Sequence, residues 1–339
     1  MKSLFAILGL AVTLLFYSCG SDVNSGDDKG QNTSILSVDP YKPLSDSINA
    51  DNKNTELYIR RASLLTRNAE HELAYADLQR AWELSPVEEI AEMKVSSLFM
   101  AGRNDKALEL LKELTVRFPE NTNLKRRLGE ALLQNGQYDK ALEAYDKMLA
   151  EDSLDFEAWF EKAMLYLEKK DTPSALRHLE TSFRIQPLQM TALSLANLYA
   201  EARDPRSLEM ADLVIGRDSV GEMPDPYFIK GIYFANTGNT AKALDQFNQV
   251  IKIDWKFQEA YIEKGIIYFD QKNLDEALKQ FKLAATVSNT YADAYYWQGR
   301  CYEKLGKKEE ALSNYAKAYS LDRNFTEAVE AAARVKGEK

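Results

Sequence analysis

Residues 258–291 read QEAYIEKGIIYFDQKNLDEALKQFKLAATVSNTY. The stretch contains two series of small and aromatic residues at helical spacing, namely Tyr261, Gly265 and Tyr268, then Ala277, Phe281 and Ala284. Residues three and four apart lie on one face of an α-helix, so each series predicts an amphipathic helix. Polar residues separate the two series. The stretch therefore predicts a hairpin of two helices that pack against each other through these faces.

The same pattern recurs along most of the chain. Units begin at residues 55, 88, 122, 156, 190, 224, 258 and 292; the first interval is 33 residues and the next six are 34 each. The twentieth place is alanine in seven of the eight units, with Glu209 as the exception: Ala74, Ala107, Ala141, Ala175, Ala243, Ala277 and Ala311. One hairpin cannot bury its apolar face alone, so this period indicates a stacked array with a continuous core.

Three further columns predict how each hairpin packs. The eighth place is mostly small: Ala62, Val95, Gly129, Ala163, Asn197, Gly231, Gly265 and Gly299. The twenty-fourth place is large and apolar: Leu78, Leu111, Tyr145, Leu179, Leu213, Phe247, Phe281 and Tyr315. Four glycines share the fifteenth place, where a helix end favours left-handed φ: Gly102, Gly136, Gly238 and Gly306. We therefore expect close contact at the small places and a tight turn between the helices.

These columns resemble the tetratricopeptide repeat, whose signature has these residue types at these places. The resemblance covers about 270 of the 339 residues; it is strong from 224 onward and weak in the unit from 190. It implies an all-α fold, a right-handed superhelical solenoid of about eight helix-turn-helix repeats at 55–325. A capping helix and tail follow at 326–339, with Asn324 and Glu327 at capping-box spacing.

The N-terminus has the pattern of a signal peptide at residues 1–18. Lys2 precedes a 14-residue apolar run, Leu4–Tyr17, which is too short to span a bilayer. Ser18 and Cys19 follow the run, and the junction from Phe16 to Gly20 resembles a bacterial lipobox of the loose kind found in Bacteroidota lipoproteins. The resemblance implies acylation of Cys19, with a lipid such as palmitate, and Gly20 after it favours the outer membrane, facing the periplasm or the surface. An ordinary secretory peptide that ends near a cysteine is the alternative.

Residues 19–54 are predicted to hold the lipidated Cys19 and a flexible tether. The segment from Gly20 to Ser34 has almost no apolar content and cannot offset the entropy of ordering. Between Tyr41 and Ala50 we expect a short helix that caps the first repeat.

The composition disfavours several classes of function. The net charge of −9 argues against binding to nucleic acid, which requires basic surfaces. The sequence contains no phosphate-binding loop and no metalloprotease or hydrolase motif. We expect His71 and His178 to be packed helix residues and Cys301 to be a buried, inert thiol. The chain is therefore interpreted as a non-enzyme, without a cofactor or a metal site.

The resemblance also implies a binding surface, because places 5, 9 and 12 of the first helix line the groove of such arrays. These places are polar in the unit from 122, with Arg126 and Glu130, and largely apolar further along. The predicted partner-binding residues are Phe160, Met164, Phe228, Ile232, Ile262, Ile266, Phe269, Tyr296 and Arg300. The alternative is that these side chains pack against each other or against neighbouring helices. Apolar residues at places 5 and 9 disfavour the Lys and Asn clamp that binds acidic peptide tails.

The sequence is consistent with two functions. One is a scaffold or adaptor in the bacterial cell envelope, anchored to the membrane by the lipid, which binds other proteins or extended peptide segments. The other is a permanent structural subunit of an outer-membrane or pilus-type assembly complex. Both are analogies at the level of the fold.

Overall fold

A computed structural model describes residues 34–337, so the predicted signal peptide and Cys19 lie outside the described residues. Over the described range, the chain forms one short 3₁₀ helix, Ser34–Ser37, and 18 α-helices. The predicted all-α class and repeat array are thereby confirmed. The described part of the chain divides between residues 121 and 122 into two compact units, which are described one at a time.

The first unit contains two hairpins and a preceding helix. Its helices are α1 (Lys42–Ala50), α2 (Thr55–Arg67), α3 (His71–Leu84), α4 (Glu88–Met100) and α5 (Asn104–Arg117). Helix α1 packs on α2, and Tyr41 and Ile48 are buried in the core of the first hairpin. The helix expected between Tyr41 and Ala50 is therefore present.

A buried ion pair fixes α1 to the first hairpin. The Arg61 guanidinium donates two hydrogen bonds of 2.7 Å to Asp77, and both side chains are at most 10% exposed. Its remaining Nη1 donates to the Ser45 hydroxyl at 2.9 Å, and that hydroxyl donates to the Leu36 carbonyl at 2.7 Å. This chain of bonds ties α1 and the 3₁₀ helix to α2 and α3.

The second unit contains the remaining hairpins and a last single helix. Its helices are α6 (Thr122–Gln134), α7 (Tyr138–Glu151), α8 (Phe156–Glu168), α9 (Thr172–Ile185), α10 (Gln189–Glu201), α11 (Arg206–Arg217), α12 (Asp225–Asn236), α13 (Thr240–Ile253), α14 (Gln258–Asp270), α15 (Leu274–Val287), α16 (Ala292–Lys304), α17 (Lys308–Leu321) and α18 (Thr326–Lys336). Each first helix of a hairpin begins within one residue of the start read from the sequence.

Glycine at place 8 brings the two helices of a hairpin together. A Cβ on Gly299 would lie 2.6 Å from the ring of Tyr315, a distance at which the ring must move. The same ring contact stands opposite Gly129, Gly231 and Gly265. The rings concerned, at place 24, are fully buried. Small and large residues at these two places therefore interlock as the columns predict.

The turn within each hairpin requires left-handed backbone. Gly102, Gly136, Gly238 and Gly306 have φ between 68° and 81°. At the corresponding turns of the other four hairpins, Ala69, Lys170, Arg203 and Lys272 adopt φ between 58° and 63°. Non-glycine residues are disfavoured in this region by Cβ contacts. Four of these eight turns therefore carry local strain that glycine would remove.

The unit from 190 differs from the others by a shift of register. In α10, Ala196 is fully buried, whereas its neighbour Asn197, at the eighth place, is half-buried. In α11 the fully buried positions are Ser207, Ala211 and Val214, while Glu209 is exposed. The apparent mismatches at Asn197 and Glu209 arise because both helices present neighbouring residues to the core.

The last helix, α18, covers α17 without the predicted capping box. The residue before the helix is Phe325, whose side chain makes no cap hydrogen bond. Phe325 is buried instead, with its ring centroid 5.0 Å from that of Tyr296. Arg334 of α18 also donates to the carboxylate of Glu303 at 2.9 Å. Packing and this ion pair hold the cap.

Candidate partner-binding surface

The first helices of neighbouring hairpins form one side of the second unit. Contacts join α6 to α8, α10 to α12, α12 to α14 and α14 to α16, in addition to those between helices adjacent along the chain. All nine residues of the predicted partner-binding set lie on α8, α12, α14 or α16. The structure therefore places the set on first helices, as places 5, 9 and 12 require.

Three residues of the predicted set belong to the core. Phe228, Ile262 and Tyr296 are 5%, 6% and 6% exposed. The Phe228 ring lies 5.0 Å from Phe257 and 5.6 Å from Phe247, centroid to centroid. For these three residues the alternative of packing is correct, because a side chain so enclosed offers little area to a partner. The sequence pattern did not distinguish these three residues from Phe160, which also stands at place 5 but is half-buried.

The other six residues are half-buried and leave part of each side chain accessible: Phe160, Met164, Ile232, Ile266, Phe269 and Arg300. Phe160 and Met164 pack at the edge of a core cluster built on Leu179 and Leu195. Partly accessible apolar side chains in a row are typical of interaction surfaces. The accessible part of the predicted surface is thereby reduced to these six.

Arg300 lies over a group of aromatic rings. Its guanidinium carbon is 5.4 Å from the centroid of Trp297 and 5.6 Å from that of Phe269. The guanidinium also donates to the Tyr296 hydroxyl at 3.0 Å. Trp297 was not among the predicted residues because it stands at place 6. An aromatic residue beside an arginine is itself typical of binding surfaces, and that signal was present in the sequence.

Carboxylates without ion-pair partners lie beside the apolar side chains of α14 and α16. Burial raises the pKa of Glu263 to about 7, and the nearby Asp293 contributes. Burial also raises the pKa of Asp293 and of the Tyr291 hydroxyl, the latter further through Asp293, Glu259 and Glu263. Within residues 34–337, no lysine or arginine forms a salt bridge with these carboxylates. These carboxyl groups therefore lie in partly desolvated positions that favour their neutral forms.

A second acidic pair lies on α6 and α8. Burial raises the pKa of Glu161 to about 7, and Glu130 contributes. Burial likewise raises the pKa of Glu130, against the opposite effect of Arg127 and Arg126. Arg126 itself binds Glu157 at 2.7 Å and Asp155 at 3.3 Å.

His178 and Cys301 occupy structural positions. The imidazole of His178 is stacked between Trp159 and Tyr166, with centroids 5.3 Å and 5.1 Å away. Burial, Lys162 and Arg177 lower its pKa. Cys301 is fully buried, and burial raises the pKa of its thiol to about 12. These environments suit packing and leave the thiol as the inert protonated form.

No group of three or more His, Cys, Asp or Glu side chains within residues 34–337 has an arrangement suited to a metal ion. No helix in the same range combines the length and the apolar character needed to cross a membrane.

Models of the tetratricopeptide repeat match residues 93–156, 126–187, 228–289 and 292–332. Together these segments span more than half of the chain. The chain belongs to the tetratricopeptide repeat family. Proteins of this family are generally modules for protein interaction and not enzymes. No curated protein matches the full sequence significantly.

Solved structures share the tetratricopeptide fold. A tetratricopeptide repeat protein from Parabacteroides merdae has a TM-score of 0.62 and 21% identity, covering 73% of this chain and 98% of that one. The Cut9–Hcn1 hetero-tetramer of APC/C has a TM-score of 0.54 and 17% identity, covering 88% of this chain and 59% of that one. PilW, a widely conserved type IV pilus biogenesis factor, has a TM-score of 0.53 and 18% identity, covering 62% of this chain and 97% of that one. At these identities the likeness concerns the fold alone.

Proposed function

We propose that this tetratricopeptide array is a membrane-anchored scaffold or adaptor of the bacterial cell envelope, which binds other proteins or extended peptide segments. The observation that carries the binding function is the row of half-buried apolar and aromatic side chains on the first helices of the second unit. Each stacked hairpin adds side chains to such a row, so the array presents an extended surface for one polypeptide segment.

The anchor rests on the signal-peptide pattern and Cys19. Acylation of Cys19 would add about 0.8 kcal/mol of membrane affinity per buried CH₂, which gives stable attachment with more than one chain. Metabolic labelling with an alkyne fatty acid tests this step directly. We expect Cys19→Ala to abolish labelling and release the protein from membranes, whereas Cys301→Ala, a control that removes the other thiol, keeps both. Labelling that survives Cys19→Ala excludes the anchor.

The partners are tested by crosslinking in native membranes and identification of the captured proteins. We expect specific partners whose capture falls when Phe160 and Phe269 are changed together to Ser, because both rings are partly accessible. Phe228 is unsuitable for this test, since its ring lies in the core. Capture no greater than that of a chain lacking the tether and Cys19 contradicts the adaptor function.

A permanent structural subunit of an outer-membrane or pilus-type assembly complex is the second candidate. The fold likeness to PilW, a type IV pilus biogenesis factor, is the observation that favours it. A permanent subunit has a large apolar interface that survives high salt. Exchange of the captured partner within minutes, or its release by salt, supports the adaptor instead.

A further inference from the structure

Glu130 of α6 and Glu161 of α8 lie half-buried on the contacting first helices of neighbouring hairpins. Within residues 34–337, neither carboxylate accepts a hydrogen bond or enters an ion pair. Two guanidinium groups lower the pKa of Glu130 without forming an ion pair with it: that of Arg127, and that of Arg126, which is bound to Glu157 and Asp155. Two partly desolvated carboxylates close enough to repel each other disfavour the folded state.

The fold does not require carboxylates at these two places. The corresponding residues on α14 and α16 are Ile266 and Trp297, and both pack at the edge of an apolar cluster. The contact between first helices of neighbouring hairpins can therefore be formed with apolar residues at these two places. A pair that opposes folding and is dispensable for packing is a candidate for binding.

The Tyr145 hydroxyl lies near Glu130 and Glu161 and is a second observation at this position. Tyr145 is fully buried, yet its hydroxyl has no hydrogen-bond partner among the described residues. The ring packs on Gly129, the neighbour of Glu130, and the pKa of the hydroxyl is raised by burial and by Glu161 and Glu130.

The last hairpin shows what this hydroxyl lacks. There, Tyr315 at the same place donates to Glu303 at 2.6 Å. In the hairpin of Tyr145 the residue that corresponds to Glu303 is Leu133, so the acceptor is missing. A buried hydroxyl without a partner carries a desolvation cost that a polar ligand relieves.

We propose that Glu130, Glu161 and the Tyr145 hydroxyl form a subsite for one cationic side chain, lysine or arginine, of a bound polypeptide. An ammonium group has three N–H donors, and the two carboxylates and the hydroxyl oxygen supply acceptors. Met164, one turn from Glu161 on α8, offers apolar surface to the methylene stem. The subsite rests on the proposed function, because it specifies which residue the array would recognise.

The test uses a random library of 12-residue peptides passed over the immobilised full chain at low salt. Glu130→Gln with Glu161→Gln removes both charges without changing volume and relieves their repulsion, so the variant should fold. We expect the protein to enrich peptides with Lys or Arg, and this enrichment to fall about tenfold in the double variant. The matched control Glu222→Gln with Glu309→Gln, at two exposed sites, should retain it.

A pH series adds a second readout. Glu161 interacts electrostatically with Glu130, Glu157, Arg126 and the Tyr145 hydroxyl, and Arg127 acts on Glu130. The pKa of Glu161, about 7, predicts weaker retention of basic peptides at pH 6 than at pH 8. Tyr145→Phe should weaken retention at both pH values. Peptides retained equally with and without Lys or Arg overturn the subsite but leave the proposed function, which crosslinking tests separately. Equal enrichment by the double variant, or no retained peptide, also overturns the subsite.

Discussion

The hydroxyl of Tyr315 donates a 2.6 Å hydrogen bond to Glu303. The same carboxylate accepts two hydrogen bonds from Arg334 of α18, at 3.0 Å and 2.9 Å. Glu303 therefore joins the second helix of the last hairpin to the cap. The hydrogen bonds from Arg334 hold the pKa of Glu303 below its usual range, and the one from Tyr315 adds to the effect.

This arrangement predicts a pH-dependent attachment of the cap. Because the folded pKa is depressed, Glu303 stabilises the fold fully above the ordinary glutamate value of 4.5, and the contribution is lost as the pH falls through the folded value. We expect Glu303→Gln to lower the free energy of unfolding by about 1 kcal/mol at pH 7, and by less at pH 3.5. Urea denaturation and amide exchange of α18 measure it, with exposed Glu330→Gln as control. An equal loss at both pH values contradicts the assignment.

Ser207 predicts a stabilising substitution. It is fully buried in the hairpin with the shifted register, and its hydroxyl has no hydrogen-bond partner among the described residues. Alanine fits the same space without a buried hydroxyl, so Ser207→Ala should raise the free energy of unfolding by about 1 kcal/mol. Thermal unfolding followed by circular dichroism measures the change, and Ser194→Ala, on the less buried side of α10, should have little effect. A lower melting temperature for Ser207→Ala would show a hydroxyl partner.

The strained turns predict a second gain in stability. Lys272 has φ of 62° and is exposed, whereas Gly238 and Gly306 fill the same place in the neighbouring hairpins. Lys272→Gly removes the Cβ contact at the expense of chain entropy, with a net gain of roughly 0.5–1 kcal/mol. Lys279→Gly, in the middle of α15, should instead destabilise by about 1 kcal/mol. If both changes destabilise equally in urea, the left-handed turn is not the source of strain.

Cys301 should be unreactive in the folded protein. Its thiol is fully buried, and burial raises its pKa to about 12, so almost no thiolate forms at neutral pH. We expect peptide mapping after iodoacetamide treatment at pH 7.5 to find Cys301 unmodified in the native protein and fully modified in urea. Rapid native modification would mean that α16 opens easily.

The sequence predicted the repeated features better than the singular ones. A column of alanines or glycines identifies a helix contact because the two helices of every hairpin approach each other closely at the same place. The register of α10 and α11 was missed, since the shift that buries Ala196 and Ser207 has no counterpart in the other units. The place within the repeat predicts one surface for Phe228 and Phe269. The packing of Phe247 and Phe257 on Phe228 makes its ring part of the core, whereas the ring of Phe269 is half-buried.

The ring of Phe281 fills the space that a side chain on Gly265 would occupy, and other hairpins fill the same space with a different pair of residues. In the hairpin of α8 and α9, Ala163 stands opposite Leu179. Replacing Gly265 first by alanine forces the new methyl into the ring, whereas replacing Phe281 first by leucine leaves only a void. A change from the Gly–Phe pair to an Ala–Leu pair in evolution is therefore expected to replace the phenylalanine first and the glycine second. The order of the two substitutions is set by the close approach of the Phe281 ring to Gly265.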